Sequence, residues 1–136
     1  MLTILFSAIV SAVSVMVLVP FVKNVIPAKL LAAASLASMA FIYVGFALME
    51  NSPGIIAFET TVAVIFFFIA VIGHQKSNKL IALGILLHGI WDIAHHFTGA
   101  AHASPSYWWI YCSTIDIIWA VYFYIIFDRK REVSAG

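Results

Sequence analysis

Five apolar stretches, each long enough to cross a lipid bilayer, constrain the fold of this chain more than any other feature. They are residues 2–22, 30–49, 54–73, 79–97 and 107–127. A membrane-spanning helix needs about 20 apolar residues, and an open sheet edge cannot satisfy its backbone polar groups in hydrocarbon. The sequence therefore predicts an all-α polytopic membrane protein, in which residues 1–136 form a single bundle of five transmembrane helices.

Composition supports a membrane protein over a water-soluble domain. Hydrophobic residues make up 64% of the chain and charged residues only 10%, whereas soluble domains average about 25% charged residues. The formal net charge of +1 gives no reason to expect nucleic acid as a partner. We expect a multi-pass protein of a bacterial inner membrane or a plasma membrane, with lipid as its surroundings. A bundle this small is also compatible with a homo-oligomer.

The basic residues predict the orientation of the helices. All seven Lys and Arg residues lie in alternate gaps, at 23 and 29, at 76 and 79, and at 129–131. The positive-inside rule places such gaps in the cytoplasm, so the N-terminus is predicted outside and the C-terminus inside. The first stretch could instead be a signal peptide, but it lacks a basic start and its apolar run exceeds the usual length.

The fourth stretch carries ionisable side chains within the sequence LLHGIWDIAHH, residues 86–96. His88, Asp92, His95 and His96 recur at i, i+4, i+7 and i+8, which places them within about 100° of arc on one helix face. We call these four residues the stripe. His88 is predicted near the bilayer midplane, with Asp92 about 6 Å farther out. Ionisable residues at such depths are costly and mark functional sites by default.

Acidic residues on two other stretches match the depth of the stripe. Glu59, in the third stretch, is predicted level with the outer part of the stripe, and Asp116, in the fifth, level with its inner end. Glu50 and His102 are predicted at the mouth of the site. The inner halves of the helices carry few polar groups, so we expect a blind pocket open to the outside and no channel across the membrane.

Imidazole and carboxylate ligands in a low-dielectric pocket suit Zn²⁺, Fe²⁺ or Mn²⁺. The sequence therefore predicts the stripe as the ligand set for one or two transition-metal ions, zinc or iron. Glu59 and Asp116 are predicted as catalytic general bases or as further ligands. If the protein is an enzyme, we expect metal-activated water or oxygen to act on a lipid-like or small apolar substrate.

Two resemblances accompany this pattern. The segment Asp92-Ile93-Ala94-His95-His96 resembles the H-x-x-H-H boxes of membrane fatty-acid desaturases and hydroxylases, with Asp92 at the first His position. That resemblance implies metal ligands, although those enzymes carry several such boxes and this chain carries one. The wider pattern H-x3-D-x2-H-H in a short five-helix protein is similar to small uncharacterised families of bacterial integral membrane proteins, which bring no known activity.

Other classes of function stay open from the sequence alone. The polar residues could be interhelical struts in a non-catalytic membrane subunit, or they could bind an ion or a proton. A haem held by His88 and a second histidine of the stripe is a further alternative. In the enzyme interpretation, an apolar entrance is predicted along aromatic residues that include Phe58, Trp91 and Phe97. A transition metal present in stoichiometric amount would favour the metal-site interpretation over the strut.

Overall fold

The computed structural model describes residues 1–22, 24–98 and 104–135, with side chains up to residue 128. Within these ranges the chain forms six α-helices. They are α1 (Leu2–Val22), α2 (Ala28–Ala40), α3 (Ile42–Glu50), α4 (Pro53–Lys76), α5 (Asn78–Thr98) and α6 (Trp108–Ala135). The all-α prediction is confirmed for the described part of the chain.

Five helical spans are long and apolar enough to cross a membrane. They are Leu2–Val22, Ala28–Glu50, Pro53–Lys76, Asn78–Thr98 and Trp108–Asp128. These spans confirm the five stretches predicted from hydropathy, because each observed end lies within three residues of the predicted one.

The second span differs from a single continuous helix, because Phe41 separates α2 from α3. The backbone N–H of Phe41 donates to the carbonyl oxygen of Ser38 at 3.3 Å, a tightening that is common where an α-helix ends. The last carbonyl groups of a helix lack partners in the next turn. The break therefore offers backbone acceptors from the end of α2 to side chains inside the bundle.

The connection from α3 to α4 is a tight turn whose residues suit their backbone angles. Asn51 adopts a left-handed conformation with φ of 53°, which Asn tolerates better than most residues. Pro53 opens α4 at a position where its missing N–H costs no helical hydrogen bond. The turn brings α4 back alongside α2 and α3.

Helix α5 lies at the centre of the bundle, in contact with α2, α4 and α6. Glycines on α5 permit this close packing. A Cβ atom at Gly84 would lie 2.6 Å from Leu36 Cδ2, and one at Gly89 would lie 3.0 Å from Asp116 Cβ. Gly89 thus lets α6 approach α5 at the level of the stripe, so acids of α6 can reach histidines of α5.

Helix α1 lies at the edge of the bundle and packs against α6. Two side chains of α6 form hydrogen bonds with the backbone of α1. Trp119 Nε1 donates to the Ala12 carbonyl at 3.2 Å, and the Tyr122 hydroxyl donates to the Met16 carbonyl at 3.3 Å. Helix α1 itself carries no Asp, Glu, His, Lys or Arg residue.

Candidate metal centre

Polar residues are buried in one region of the bundle. Among the residues that the structure describes, the buried polar and charged side chains are those of Glu59, His88, Asp92, His95, Ser113 and Asp116. All except Ser113 were singled out from the sequence. Helix α4 contributes Glu59, α5 contributes both histidines and Asp92, and α6 contributes Asp116. The three packed helices therefore share one ionisable core.

The inner part of this core contains His88, Asp92 and Asp116, which we call the His88 triad. His88 Nδ1 lies 2.7 Å from Asp116 Oδ2 and 3.7 Å from Asp92 Oδ2. One ligand atom from each residue lies within 4.8 Å of the other two. This arrangement confirms that Asp116 reaches the level of His88, as the depth of the two residues predicted.

Contacts from two other helices hold the His88 ring in place. The ring interacts with the backbone of Met39 at the end of α2, where the break at Phe41 leaves carbonyl groups available. The Phe66 ring of α4 meets the imidazole edge-on, with the ring centroids 5.1 Å apart. His88 is thus oriented by a carboxylate on α6, by the α2 backbone and by an aromatic ring of α4.

The second part of the core, nearer the C-terminal end of α5, is the Glu59–His95 pair. His95 Nε2 lies 2.8 Å from Glu59 Oε1, and both side chains are buried. This contact confirms that Glu59 matches the depth of the outer stripe. His95 also stacks on Tyr43, with ring centroids 4.3 Å apart, and lies 5.3 Å from the Trp91 ring.

Tyr43 connects the two parts of the core and was not predicted from the sequence. Its ring centroid is 6.4 Å from that of His88 and 4.3 Å from that of His95, and its phenol lies near the Asp92 carboxylate. The only sequence signal was a hydroxyl group within an apolar span, at a depth near that of the stripe.

Several carboxylate oxygens in this core have no hydrogen-bond partner among the described residues. They are Glu59 Oε2, both side-chain oxygens of Asp92, and Asp116 Oδ1. Buried polar atoms without partners are costly. The core holds three carboxyl groups and only two imidazoles, so its acidic groups outnumber its basic groups. A divalent cation held by His88, Asp92 and Asp116 would pair with the unpartnered aspartate oxygens and balance the charge of the two aspartates.

The structure does not bring every predicted ligand into this core. His96 is exposed and stacks on Trp109, with ring centroids 4.4 Å apart and planes 15° apart. His95 lies with Glu59 and outside the His88 triad. Of the two residues predicted at the mouth, Glu50 is half-buried at the end of α3, and His102 lies outside the described residues.

His96 lies at the edge of the arc that the stripe occupies. At about 100° per residue, His88, Asp92 and His95 fall within about 60° of arc, and His96 lies about 40° beyond Asp92. His88 contacts Asp116 of α6 and His95 contacts Glu59 of α4, whereas the ring of His96 stacks on Trp109 at the start of α6. Three aromatic residues were predicted to form an apolar entrance. The ring centroids of Trp91 and Phe58 lie 5.9 Å apart, and Phe97 is largely exposed.

Comparison with known proteins identifies a family but no characterised relative. No curated protein and no solved structure matches the chain significantly, and the resemblance to desaturase histidine boxes stays a hypothesis. One family match covers residues 3–129, which is nearly the whole sequence and includes every residue of the buried core. The chain therefore belongs to DUF6010, a family of unknown function.

Proposed function

We propose that this chain is a metal-binding integral membrane protein in which His88, Asp92 and Asp116 hold one divalent transition metal. The observation that carries the proposal is the convergence of three buried ligand atoms within 4.8 Å of one another. One imidazole and two carboxylates form a donor set that suits Zn²⁺ or Fe²⁺. Two carboxylates and a neutral imidazole around a divalent ion have zero net charge, which lowers the cost of burial.

The distances in the triad suit a metal after a small adjustment. Metal–ligand bonds of about 2.0–2.2 Å in tetrahedral geometry place ligand atoms about 3.3–3.6 Å apart. The 3.7 Å between His88 Nδ1 and Asp92 Oδ2 is close to that spacing, whereas the 2.7 Å to Asp116 Oδ2 is a hydrogen-bond distance. To hold a metal together with Asp92, His88 Nδ1 and Asp116 Oδ2 would have to move apart by about 0.7 Å.

The arrangement favours a metal-dependent enzyme over a purely structural metal site. Catalytic zinc sites keep three protein ligands and an open position, whereas structural sites are closed by four. A metal held by these three residues would supply a nucleophilic water at neutral pH. The Glu59–His95 pair, less than one helical turn beyond Asp92 on α5, supplies a general base. The substrate is lipid-like or small and apolar, and it reaches the site from the outside, with the C-terminus of the chain in the cytoplasm.

Metal content tests this proposal. The protein is purified in detergent, loaded with Zn²⁺ or Fe²⁺, freed of excess ion and analysed for metal. We expect about one ion per chain in the parent and in His74→Ala, which changes an exposed histidine at the end of α4. Asp92→Asn should lose the ion while keeping its helical content. Equal metal in Asp92→Asn and the parent would refute the assigned site.

A second candidate is a non-catalytic membrane subunit in which these residues are interhelical struts or a proton-binding group. The contacts of 2.7 Å between His88 and Asp116 and of 2.8 Å between His95 and Glu59 favour it. Each of these two hydrogen bonds joins α5 to a neighbouring helix. This candidate predicts that substitutions in the core lower stability and that the purified protein binds no transition metal in stoichiometric amount.

A further inference from the structure

A groove with a volume of about 400 Å³ lies between α5 and α6, and we call it the Lys79 groove. Two buried alanines, Ala82 and Ala120, form part of its lining, and their small side chains leave space between the two helices. The other lining residues are Lys79, Leu83, Leu86, Val121 and Tyr124. Ligand pockets have volumes of about 300–1,000 Å³, so the groove is large enough to hold part of a lipid molecule.

The Lys79 groove begins at one end of a membrane span and runs into the bundle. Lys79 is the second residue of the span Asn78–Thr98, and Leu86 lies about 10 Å deeper along α5. One leaflet accounts for half of a hydrocarbon core about 30 Å thick. Leu83 and Val121 are apolar and about half exposed, as expected for side chains that contact lipid. An acyl chain of the leaflet nearest Lys79 can therefore lie along the groove.

The polar side chains in the described lining, Lys79 and Tyr124, lie together at one end of the groove. Lys79 Nζ is 3.4 Å from the Tyr124 hydroxyl oxygen and 4.9 Å from the centroid of its ring. The same ammonium group pairs with Asp128 at 2.6 Å, and the Lys79 side chain is still 41% exposed. An ammonium group carries three donors, of which Asp128 and Tyr124 engage two. The third can donate to an anionic oxygen at the membrane surface.

Basic residues outnumber acidic ones at this end of the bundle. In the sequence, residues 76–79 and 128–132 contain five Lys or Arg residues and two acidic residues. Asp128 therefore does not make this end acidic. The positive-inside rule predicts that the same end faces the cytoplasm, where the leaflet contains anionic lipids. Basic pockets between transmembrane helices on that side bind anionic lipid head groups.

We propose that the Lys79 groove binds one phospholipid of net negative charge, with its phosphate at Lys79 and one acyl chain along Leu83, Leu86 and Val121. The apolar walls suit an acyl chain, and the ammonium group at the end of those walls suits a phosphate. The inference goes beyond the proposed metal function and does not rest on it. Neither the His88 triad nor the Glu59–His95 pair belongs to the described lining of the groove.

Native mass spectrometry of the purified full chain, released from a non-ionic detergent, tests the proposal. The protein is incubated with equal concentrations of phosphatidylglycerol and phosphatidylcholine that carry the same acyl chains, and the lipids retained on each chain are counted. We expect one phosphatidylglycerol per chain, retained about fivefold more than phosphatidylcholine, which is the effect of one lysine near an anionic surface. Equal retention of the two lipids, or no retained lipid, would overturn the proposal.

A charge substitution then tests the position of the phosphate. Lys79→Gln should lower the retention of phosphatidylglycerol about fivefold. Lys76→Gln is the matched control, because Lys76 is an exposed residue at the end of α4, removes the same charge at the same end of the bundle, and is not among the lining residues. It should leave retention nearly unchanged. An equal loss in the two variants would indicate a general attraction of charges and would refute the assignment to Lys79.

A bulky substitution tests the position of the acyl chain. Val121→Trp places a large ring at a half-exposed wall of the groove and should lower the retention of both lipids severalfold. Val64→Trp is the control, since Val64 is a partly exposed residue of α4 outside the lining of the groove. Unchanged retention in Val121→Trp would refute an acyl chain in the groove. Metal content, measured on the same samples, should be the same in both variants, so failure here leaves the metal site standing.

Discussion

A double-mutant cycle on His88 and Asp116 can distinguish a metal site from a hydrogen bond that only joins two helices. The perturbations are His88→Ala, Asp116→Ala and the double variant, each measured with excess Zn²⁺ and again with a chelator. The two groups are 2.7 Å apart and almost fully buried. Removing one partner of such a pair costs about 3–5 kcal/mol of unfolding free energy. Without metal, we expect a coupling energy of about 1.5–3 kcal/mol, typical of a hydrogen bond to a charged group.

Metal binding changes this coupling by an amount that can be calculated. At a free ion concentration 100 times the Kd, a bound ion adds about 2.7 kcal/mol to the stability of the parent. Each single variant loses that contribution, and the double variant loses it only once. The apparent coupling therefore rises by about 2.7 kcal/mol in Zn²⁺ relative to the chelator. If the two residues form only an interhelical hydrogen bond, their coupling energy is the same in Zn²⁺ and in chelator.

The assay is reversible unfolding in mixed micelles, followed by circular dichroism as the fraction of denaturing detergent increases. The control cycle is the Lys79–Asp128 pair, which is 2.6 Å apart and has side chains 41% and 44% exposed. Its coupling should stay below about 1 kcal/mol and should not respond to metal. A coupling between His88 and Asp116 that is equal with Zn²⁺ and with chelator would refute the metal interpretation of the triad.

Three further predictions follow from individual positions. His96→Ala should keep the full metal content of the parent, since this ring stacks on Trp109 at the surface; loss of metal, measured by elemental analysis, would place His96 in the site after all. Gly89→Ala should lower the unfolding free energy by about 1–3 kcal/mol and weaken metal binding, because its Cβ would lie 3.0 Å from a Cβ of α6. Gly45→Ala is the control, with nothing within 4 Å of the added atom, and an equal effect of both would contradict the packing argument. Reporter fusions should place the end of the chain in the cytoplasm and the loop at residues 99–106 outside; a loop reporter that reads as cytoplasmic would reverse the orientation.

The spans and the buried face of α5 could be predicted from the sequence because both depend on local patterns. Hydropathy over about 20 residues determines the spans, and the helical period places His88, Asp92 and His95 on one face. Matching depths along antiparallel helices was enough to place Asp116 level with His88 and Glu59 level with Asp92 and His95, because rise per residue converts sequence position directly into depth.

The stripe divides into three parts, His88 with Asp92, His95 with Glu59, and His96 with Trp109, and this division could not be predicted from the sequence. Periodicity shows which residues share a face, but it does not show where the neighbouring helices lie around that face. His96 is only about 40° from Asp92, yet it turns away from α4 and meets Trp109 instead. The break at Phe41 has no Pro or Gly beside it in the sequence, so neither it nor the resulting contact of His88 with the Met39 backbone had a local signal.

X-ray absorption at the metal edge of the loaded protein tests the central claim most directly, because it reports the ligands themselves. We predict a shell of nitrogen and oxygen ligands at about 2.0–2.2 Å with the signature of a single imidazole. Asp116→Asn should change that shell or empty the site. A sulfur ligand at about 2.3 Å, which only Cys112 or a methionine could supply, or a shell with no imidazole, would contradict a site built from His88, Asp92 and Asp116.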